Sequence, residues 1–438
     1  MKREPMSRPD APADRDALTP AVAVVGGGAV GVTAAADLAA RGAEVTLYDR
    51  SDLGAGSSGR AAGVLYDAYA EDVDAALAAR AMERFRAFDR SLPEFTFTPC
   101  PYVIAVREGD PDAEAVPAMV DRMRAHDRAV SLVDLETLGE QFPVTTDDLA
   151  VAAVAEGAGW CDPASYVAAM GERARREGVA VETHTPVSLA GDGPELRVGG
   201  SRAVDGETVD DEGADRSVET RSFDALVVAT GAHTAGFLGG ARIEVPVVPY
   251  RVQALTAGLG GSGSASYDGP MVYDATAGVY VRPHPTGLLA GDGTEPVPAD
   301  PDDYDRTGDD WFVESVSATL RERLDAVGED RAVGADGPAV ECAWAGLCTA
   351  TPDGDPLVGA VGDPADRVFV AAGWQGHGFM RAPAIGELVA EGVLASLGGI
   401  EAEDPDSPWI DAFDPDRFDG NEEFDIAEGM SVESRVEE

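Results

Sequence analysis

Gly26, Gly27, Gly28, Ala29, Val30 and Gly31 have the spacing G-x-G-x-x-G, and their flanks say what it could do. Five apolar residues (21–25) precede the motif, and a run with helical spacing (32–41) follows it. In that setting Gly26 permits a tight turn, Gly28 lets the backbone approach a pyrophosphate, and Gly31 allows close packing of helix on strand. The helix start then points free N–H groups and its positive dipole end at the phosphates. Asp49 stands 18 residues beyond Gly31, at the end of the next apolar run, where a carboxylate can accept from a ribose diol. Together these parts predict dinucleotide binding.

Later segments decide which dinucleotide. Residues 54–63 read G-A-G-S-S-G-R-A-A-G, a second small-residue loop in which Ser57 and Ser58 offer hydroxyls to a second phosphate or a flavin edge. Residues 226–231, L-V-V-A-T-G, bring another buried strand to a turn at Gly231. Near the C-terminus come G-W-Q-G-H-G-F-M-R (373–381) and an apolar helix. A nicotinamide dinucleotide has no need of a segment some 340 residues downstream of its glycine loop, so an NAD-dependent dehydrogenase would leave it without a ligand. A flavin does need it. Its C2 carbonyl and N1 gain negative charge on reduction, and a glycine-rich helix start supplies the donors that stabilise that charge.

These segments together resemble the D-amino-acid oxidase-like family of FAD-dependent oxidoreductases, which includes glycine oxidase, sarcosine oxidase and dehydrogenase, D-amino-acid dehydrogenase and proline dehydrogenase subunits. The resemblance covers residues 21–418. Its carriers are V-V-G-G-G-A-V-G (24–31), A-T-G-A (229–232), W-A-G-L-C-T-A-T-P-D-G-D-P-L-V-G (344–359), G-W-Q-G-H-G-F-M-R-A-P-A (373–384) and D-P-D-R-F (414–418). It implies an α/β fold with bound FAD: a Rossmann-like FAD-binding domain built from separated segments, and a substrate domain with a mostly antiparallel sheet covered by helices. Carried over position by position, it implies FAD contacts at Gly26, Gly28, Ala29, Val30 and Gly31, and at Asp49, Arg50, Ser57 and Ser58. Further contacts fall at Ala62, Gly63, Val64, Val187 and Gly231, and at Gly373, Gln375, Gly376, His377, Gly378, Phe379 and Met380. Asp49 replaces the family's more usual glutamate. The implied chemistry is oxidation of the C–N bond of an amino acid or N-methylated amine. Hydride passes from the carbon beside a neutral amine to flavin N5, and water hydrolyses the imine.

The departures concern substrate. Many relatives grip the substrate carboxylate with the arginine of G-L-R-P; here that position is Cys348. Sarcosine oxidases use the lysine of G-H-G-F-K, which is Met380 here, and their flavin-tethering cysteine aligns near Gly346, so the FAD is expected to be non-covalent. Arg282 is the leading replacement anchor. It shares a strand face with Tyr280 by the two-residue period, and a guanidinium pairs bidentately with a carboxylate. Arg60 and Arg381 are the alternatives, and His377 is expected at the flavin edge, in packing or hydrogen bonding ahead of base catalysis. The missing anchors motivate a rival function, a flavin-binding subunit or assembly protein without turnover of its own. The electron acceptor is a quinone, a carrier protein or oxygen; a dehydrogenase is favoured, because the only lysine, Lys2, sits in an expected disordered leader.

Positioning these residues takes buried strands over 21–25, 44–48, 179–182 and 226–229, with helices over 32–41 and 163–177. Helices are also expected over 73–92, 115–130 and 312–326, a strand over 96–106, and antiparallel strands over 246–290 broken by a loop at 258–263. An acidic surface loop spans 295–310. The domains follow as a leader (1–19), an FAD-binding domain (20–95, 146–236 and 335–418), a substrate domain (96–145 and 237–334) and an acidic tail (419–438). With 33 basic against 80 acidic residues the net charge is −47, which argues against nucleic acid and anionic membrane surfaces as partners and for adaptation to high salt. The apolar stretch over 21–36 contains three consecutive glycines and stops at Asp37, so no membrane span is expected. Four scattered cysteines form no C-x-x-C pair and fit a reducing cytoplasm; no metal site is indicated. A homo-oligomer stays open.

Overall fold

Ala21–Val25 is apolar at every position, and such a run is stable as a strand when both faces are covered. It lies between Glu44–Tyr48 and Ala225–Val228, parallel to both. Ala180–Glu182 extends this sheet on one side and Val368–Ala372 on the other, again in parallel, and Leu357–Ala360 adds an antiparallel edge. Helices Ala29–Ala40, Pro163–Arg176 and Gly378–Ser396 cover one face, burying Val22, Val24 and Leu47. A three-stranded sheet (Val187–Leu189, Glu195–Val198, Glu219–Ser222) covers the other, over Ala23, Val25 and Leu226. Each fully buried valine or leucine contributes roughly 1.5–3 kcal/mol relative to exposure. The computed structural model describes residues 19–199, 203–204, 207–208, 218–258, 267–324, 339–398, 412–418, 420, 422–424 and 426. The leader over 1–18, the loop at 259–263, the expected helix end at 325–326 and most of the acidic tail lie outside them.

The second sheet has eight strands in the order Ala339–Ala350, Val248–Gly258, Gly287–Gly291, Val279–His284, Met271–Asp274, Tyr102–Arg107, Leu149–Ala155 and Val130–Leu132. Its pairings are antiparallel except that of Met271–Asp274 with Tyr102–Arg107, where two distant stretches of chain meet in parallel. Helix Asp310–Arg323 covers the outer face, setting Phe312, Val316 and Leu320 on a cluster with Val272 and Val281. Met271, Tyr273 and Tyr102 turn the other way, into the first domain's core. This sheet therefore lies over the glycine-rich loops of the first.

Local differences from the sequence reading have local causes. The strand expected over 96–106 is two pieces, Thr98–Pro99 in a small separate sheet and Tyr102–Arg107, because prolines 99 and 101 interrupt the ladder. The helix expected to 130 ends at Ala125: Asp127 turns back at φ 59°, and Val130–Leu132 becomes an edge strand. Leu149–Ala155 and Ala339–Ala350 join the second sheet although they fall in stretches expected for the first domain. Apolar patterning marks a strand as buried without saying which sheet it enters. We propose that the division otherwise follows the expected boundaries.

Candidate cofactor and substrate site

The first glycine loop is shaped by contact. Gly26 has φ 107°, and a Cβ there would lie 2.2 Å from the Ala229 carbonyl oxygen. At Gly31 a Cβ would fall 1.9 Å from the Gly26 carbonyl oxygen, so the helix sits on its own turn too closely for any side chain. The helix cap, Gly28, has no side chain to satisfy first-turn N–H groups, and Ser58 Oγ accepts from Ala29 N at 2.9 Å. Asp49 accepts from Gly27 N and Ser51 N, both at 2.7 Å. Burial raises its pKa above the ordinary carboxylate value despite these bonds. Asp49 thus ties the first glycine loop to the backbone at Ser51, and it lines the cavity.

A second helix start meets the same space. Gly373, Gln375 and Gly376 have φ of 79°, 43° and 80°, and Thr349 holds this turn, its Oγ1 accepting from Trp374 N at 3.1 Å and its carbonyl from Gln375 N at 2.8 Å. The turn leads into helix Gly378–Ser396, whose cap residue His377 makes no side-chain capping bond. Both helix N-termini border one cavity of 1430 Å³, well above the roughly 300–1,000 Å³ of a common small-molecule site. The residues fit FAD: a side-chain-free cradle at Gly28 and a carboxylate at a strand end for one half, a second positive helix end for the other.

Of the residues singled out in the sequence as cofactor or substrate contacts, all line this cavity except Gly27, Gly31, Gly373, Arg282 and Arg381. Gly31 and Gly373 shape the turns from behind. Arg282 corrects an expectation. It is 3% exposed, donates to the carbonyls of Ala62 and Pro283, and lies over the Trp160 ring at 4.8 Å. Burial pushes its pKa down to about 10. The strand period did place it on the Tyr280 face, but there the wall already belongs to residues 62–64, which Arg282 braces from outside the cavity. It is a poor carboxylate anchor. Replacing Arg282 with methionine should lower unfolding stability by roughly 1–3 kcal/mol, measured by denaturant titration, and leave KM within about threefold. Arg381 is also committed elsewhere, paired with Asp74 at 2.8 Å and lying over the Tyr69 ring at 5.0 Å. His377 stands edge-on to Tyr69, ring centroids 5.8 Å apart, in keeping with packing.

Two further arginines line the cavity beside the strand that carries Cys348. The Arg60 carbonyl accepts from Trp344 Nε1 at 3.2 Å, and the Arg306 carbonyl accepts from Ala345 N at 2.9 Å. Arg60 and Arg306 therefore flank the same stretch of strand, just before Cys348, and both line the cavity. Arg60 steadies its own loop by donating to Ala55 O at 2.7 Å and Gly56 O at 3.0 Å through one terminal nitrogen. Arg306 was overlooked in the sequence because residues 295–310 read as acidic surface; being the sole cation of that stretch was the available signal. The same loop is fastened at the other end of the cavity, where Asp302 meets Arg50 at 3.4 Å and His233 at 3.1 Å. Burial, then the neighbouring Arg50, holds the His233 pKa below its ordinary value. Tyr66, Tyr102, Tyr273 and Asp292 are further lining residues that no motif marked.

The sequence profile described as FAD dependent oxidoreductase (DAO) matches residues 21–392. D-amino acid dehydrogenase 2 from Ralstonia nicotianae is 30% identical over 187 residues, covering 42% of this chain and 41% of that protein, so the match spans less than half of the curated relative. The crystal structure of glycine oxidase from Geobacillus kaustophilus superposes with a TM-score of 0.74 at 20% identity, over 92% of this chain and 100% of that one. That of L-proline dehydrogenase from P. horikoshii gives 0.72 at 23% identity, over 91% and 97%. At these identities the structural likeness establishes the fold. With the profile covering most of its length, this chain belongs to the D-amino-acid-oxidase-like family of FAD-dependent oxidoreductases.

Proposed function

We propose that the protein oxidises the C–N bond of an amino acid or N-methylated amino acid, with the substrate carboxylate gripped by Arg60 and Arg306. The observation that carries this reading is their placement on either side of residues 344–346, facing the cavity where the usual anchor position is Cys348. FAD, when bound, supplies the two-electron acceptor. The chain's own residues do the rest. The Gly28 and Gly378 helix starts hold negative charge, Asp49 and Ser58 lock the loops beneath the dinucleotide, and the tyrosine-rich wall keeps water from the reacting carbon. His377 packs rather than abstracts a proton. Of the two classes of function, this favours an enzyme over a subunit without turnover, since an idle cavity has no use for two arginines lining it beside the same strand.

Several narrower points belong to the same reading. No lysine lies among the described residues to promote attack by oxygen, which supports a dehydrogenase passing electrons to a quinone or carrier protein. All four cysteines are free, which suits the cytoplasm; no described helix is long and apolar enough to cross a membrane. The −47 charge fits a protein tuned to high salt, where a Debye length near 3 Å at about 1 M screens self-repulsion. Its melting temperature should climb steadily from low to multimolar KCl; a flat or falling curve contradicts salt adaptation. Turnover is tested by amino-acid-dependent dye reduction with equimolar release of ammonia or methylamine. Fully FAD-loaded protein that reduces no dye with any amino acid would favour the subunit reading.

A further inference from the structure

Part of the cavity wall has chemistry that a carboxylate grip leaves unused. Tyr273 and Tyr280 stand directly opposite each other on neighbouring strands. The Tyr280 hydroxyl lies over Gly291, 2.3 Å from where a Cβ would be, and so beside the residue preceding Asp292. Tyr102 comes from the adjoining strand, and Tyr66 packs against it with ring centroids 5.3 Å apart. All four tyrosines and Asp292 line the cavity. Asp292 is held at φ 88°, a conformation few side chains adopt and in which aspartate is over-represented. Its carboxylate accepts from Thr294 Oγ1 at 2.8 Å. Strain of this kind gathers where a side chain must be aimed. Its charge also reaches Tyr102, whose pKa burial raises well above the ordinary value, with further upward pushes from Tyr273, Tyr280 and Asp292.

Aromatic faces beside a carboxylate attract an organic cation and repel an anion. The sheet register sets how far this wall lies from the strand beside which both arginines sit. Trp344 is opposite Ala254, and Ala254 is opposite Gly291, so two strand steps separate the strand to which the Arg60 and Arg306 carbonyls bond from the residue preceding Asp292. At the usual strand spacing that is about 10 Å. An extended lysine or arginine carries its two end charges roughly 7–10 Å apart on covalent bond lengths alone. Resting on the reading that Arg60 and Arg306 hold the carboxylate, we propose that the substrate is a basic amino acid or its N-methylated form. It binds extended, with its side-chain cation at Asp292 among Tyr66, Tyr102, Tyr273 and Tyr280.

The test uses FAD-loaded protein in molar KCl and has two arms. The first compares both enantiomers of lysine and arginine with norleucine and citrulline, which lack the terminal charge. Basic substrates should lead in kcat/KM by about 30-fold, and Asp292→Asn, which tolerates the same φ, should bring the ratio near one. Tyr273→Leu, which removes a ring and no charge, should also shrink it. Equal rates for lysine and norleucine, or a ratio that Asp292→Asn does not move, would overturn the proposal. The second arm needs no turnover: calorimetry with choline and its uncharged analogue 3,3-dimethylbutanol. Choline should bind more tightly, and Asp292→Asn should weaken it about tenfold; equal binding of the two probes overturns the cation wall. If no amino acid of any class is oxidised, the amino-acid reading fails, and the calorimetric arm alone judges this wall.

Discussion

Replacing Gly31 with valine is expected to give a protein that no longer retains FAD. The new Cβ would start 1.9 Å from the Gly26 carbonyl oxygen, so either the turn or the helix must move. The helix has little freedom: ten consecutive residues from Ala29 to Leu38 are buried against the sheet and two further helices. The turn is equally confined, because Gly26 already presses on Ala229. Overpacking at such a place costs about 1–3 kcal/mol or more, and the shift falls on Gly28 and Ala29, which form the phosphate cradle. Flavin absorbance per protein should drop to near zero while circular dichroism reports a folded chain of lower melting temperature. Full FAD content in the variant would mean that the close approach is packing without consequence for the cofactor.

The second large effect is expected at Arg60. On the proposed reading, truncation to alanine removes one of the two guanidinium groups that grip the carboxylate and leaves Arg306 to hold it alone. A hydrogen bond to a charged group is worth about 1.5–3 kcal/mol, so kcat/KM should fall by roughly 10- to 150-fold, chiefly through KM. Because both arginines touch the same ligand group, the Arg60→Ala, Arg306→Ala double variant should lose less than the product of the two single losses. FAD content must be followed alongside, since Arg60 is part of the second small-residue loop and bonds its backbone. A variant that loses FAD but keeps its KM once FAD is restored would make Arg60 a loop brace, like Arg282, and remove it from the substrate.

How much of this was legible depends on the kind of signal. Gly26, Gly28 and Asp49 could be placed in the fold because spacing along one strand–helix–strand unit determines where they lie, whereas Ser58 meets Ala29 from a loop 29 residues on. The fold class followed from the same βαβ unit and from the glycine-rich helix start at residues 373–378. The proposed substrate wall is different. Tyr66, Tyr102, Tyr273 and Asp292 come from four stretches with no motif among them, and only the pairing of Met271–Asp274 with Tyr102–Arg107 brings two of the tyrosines onto adjoining strands. Arg282 failed as an anchor for the opposite reason. Its strand face was read correctly, but how far the cavity extends along that face is set by the loop carrying Ala62, 220 positions away. Periodicity gives a side chain's direction; what it meets there depends on long-range packing.

The central claim is that FAD in this cavity takes electrons from an amino acid held by its carboxylate. The most direct test is anaerobic titration of the loaded protein, in molar KCl, with single amino acids while the visible flavin band is followed. The account predicts complete bleaching by at least one basic amino acid, with one equivalent of 2-oxo acid and one of amine formed per FAD. It also predicts that the corresponding amine lacking the carboxylate bleaches far more slowly. If dithionite bleaches the flavin and no amino acid does, the cavity holds a competent cofactor without an amino-acid substrate, and the account is wrong.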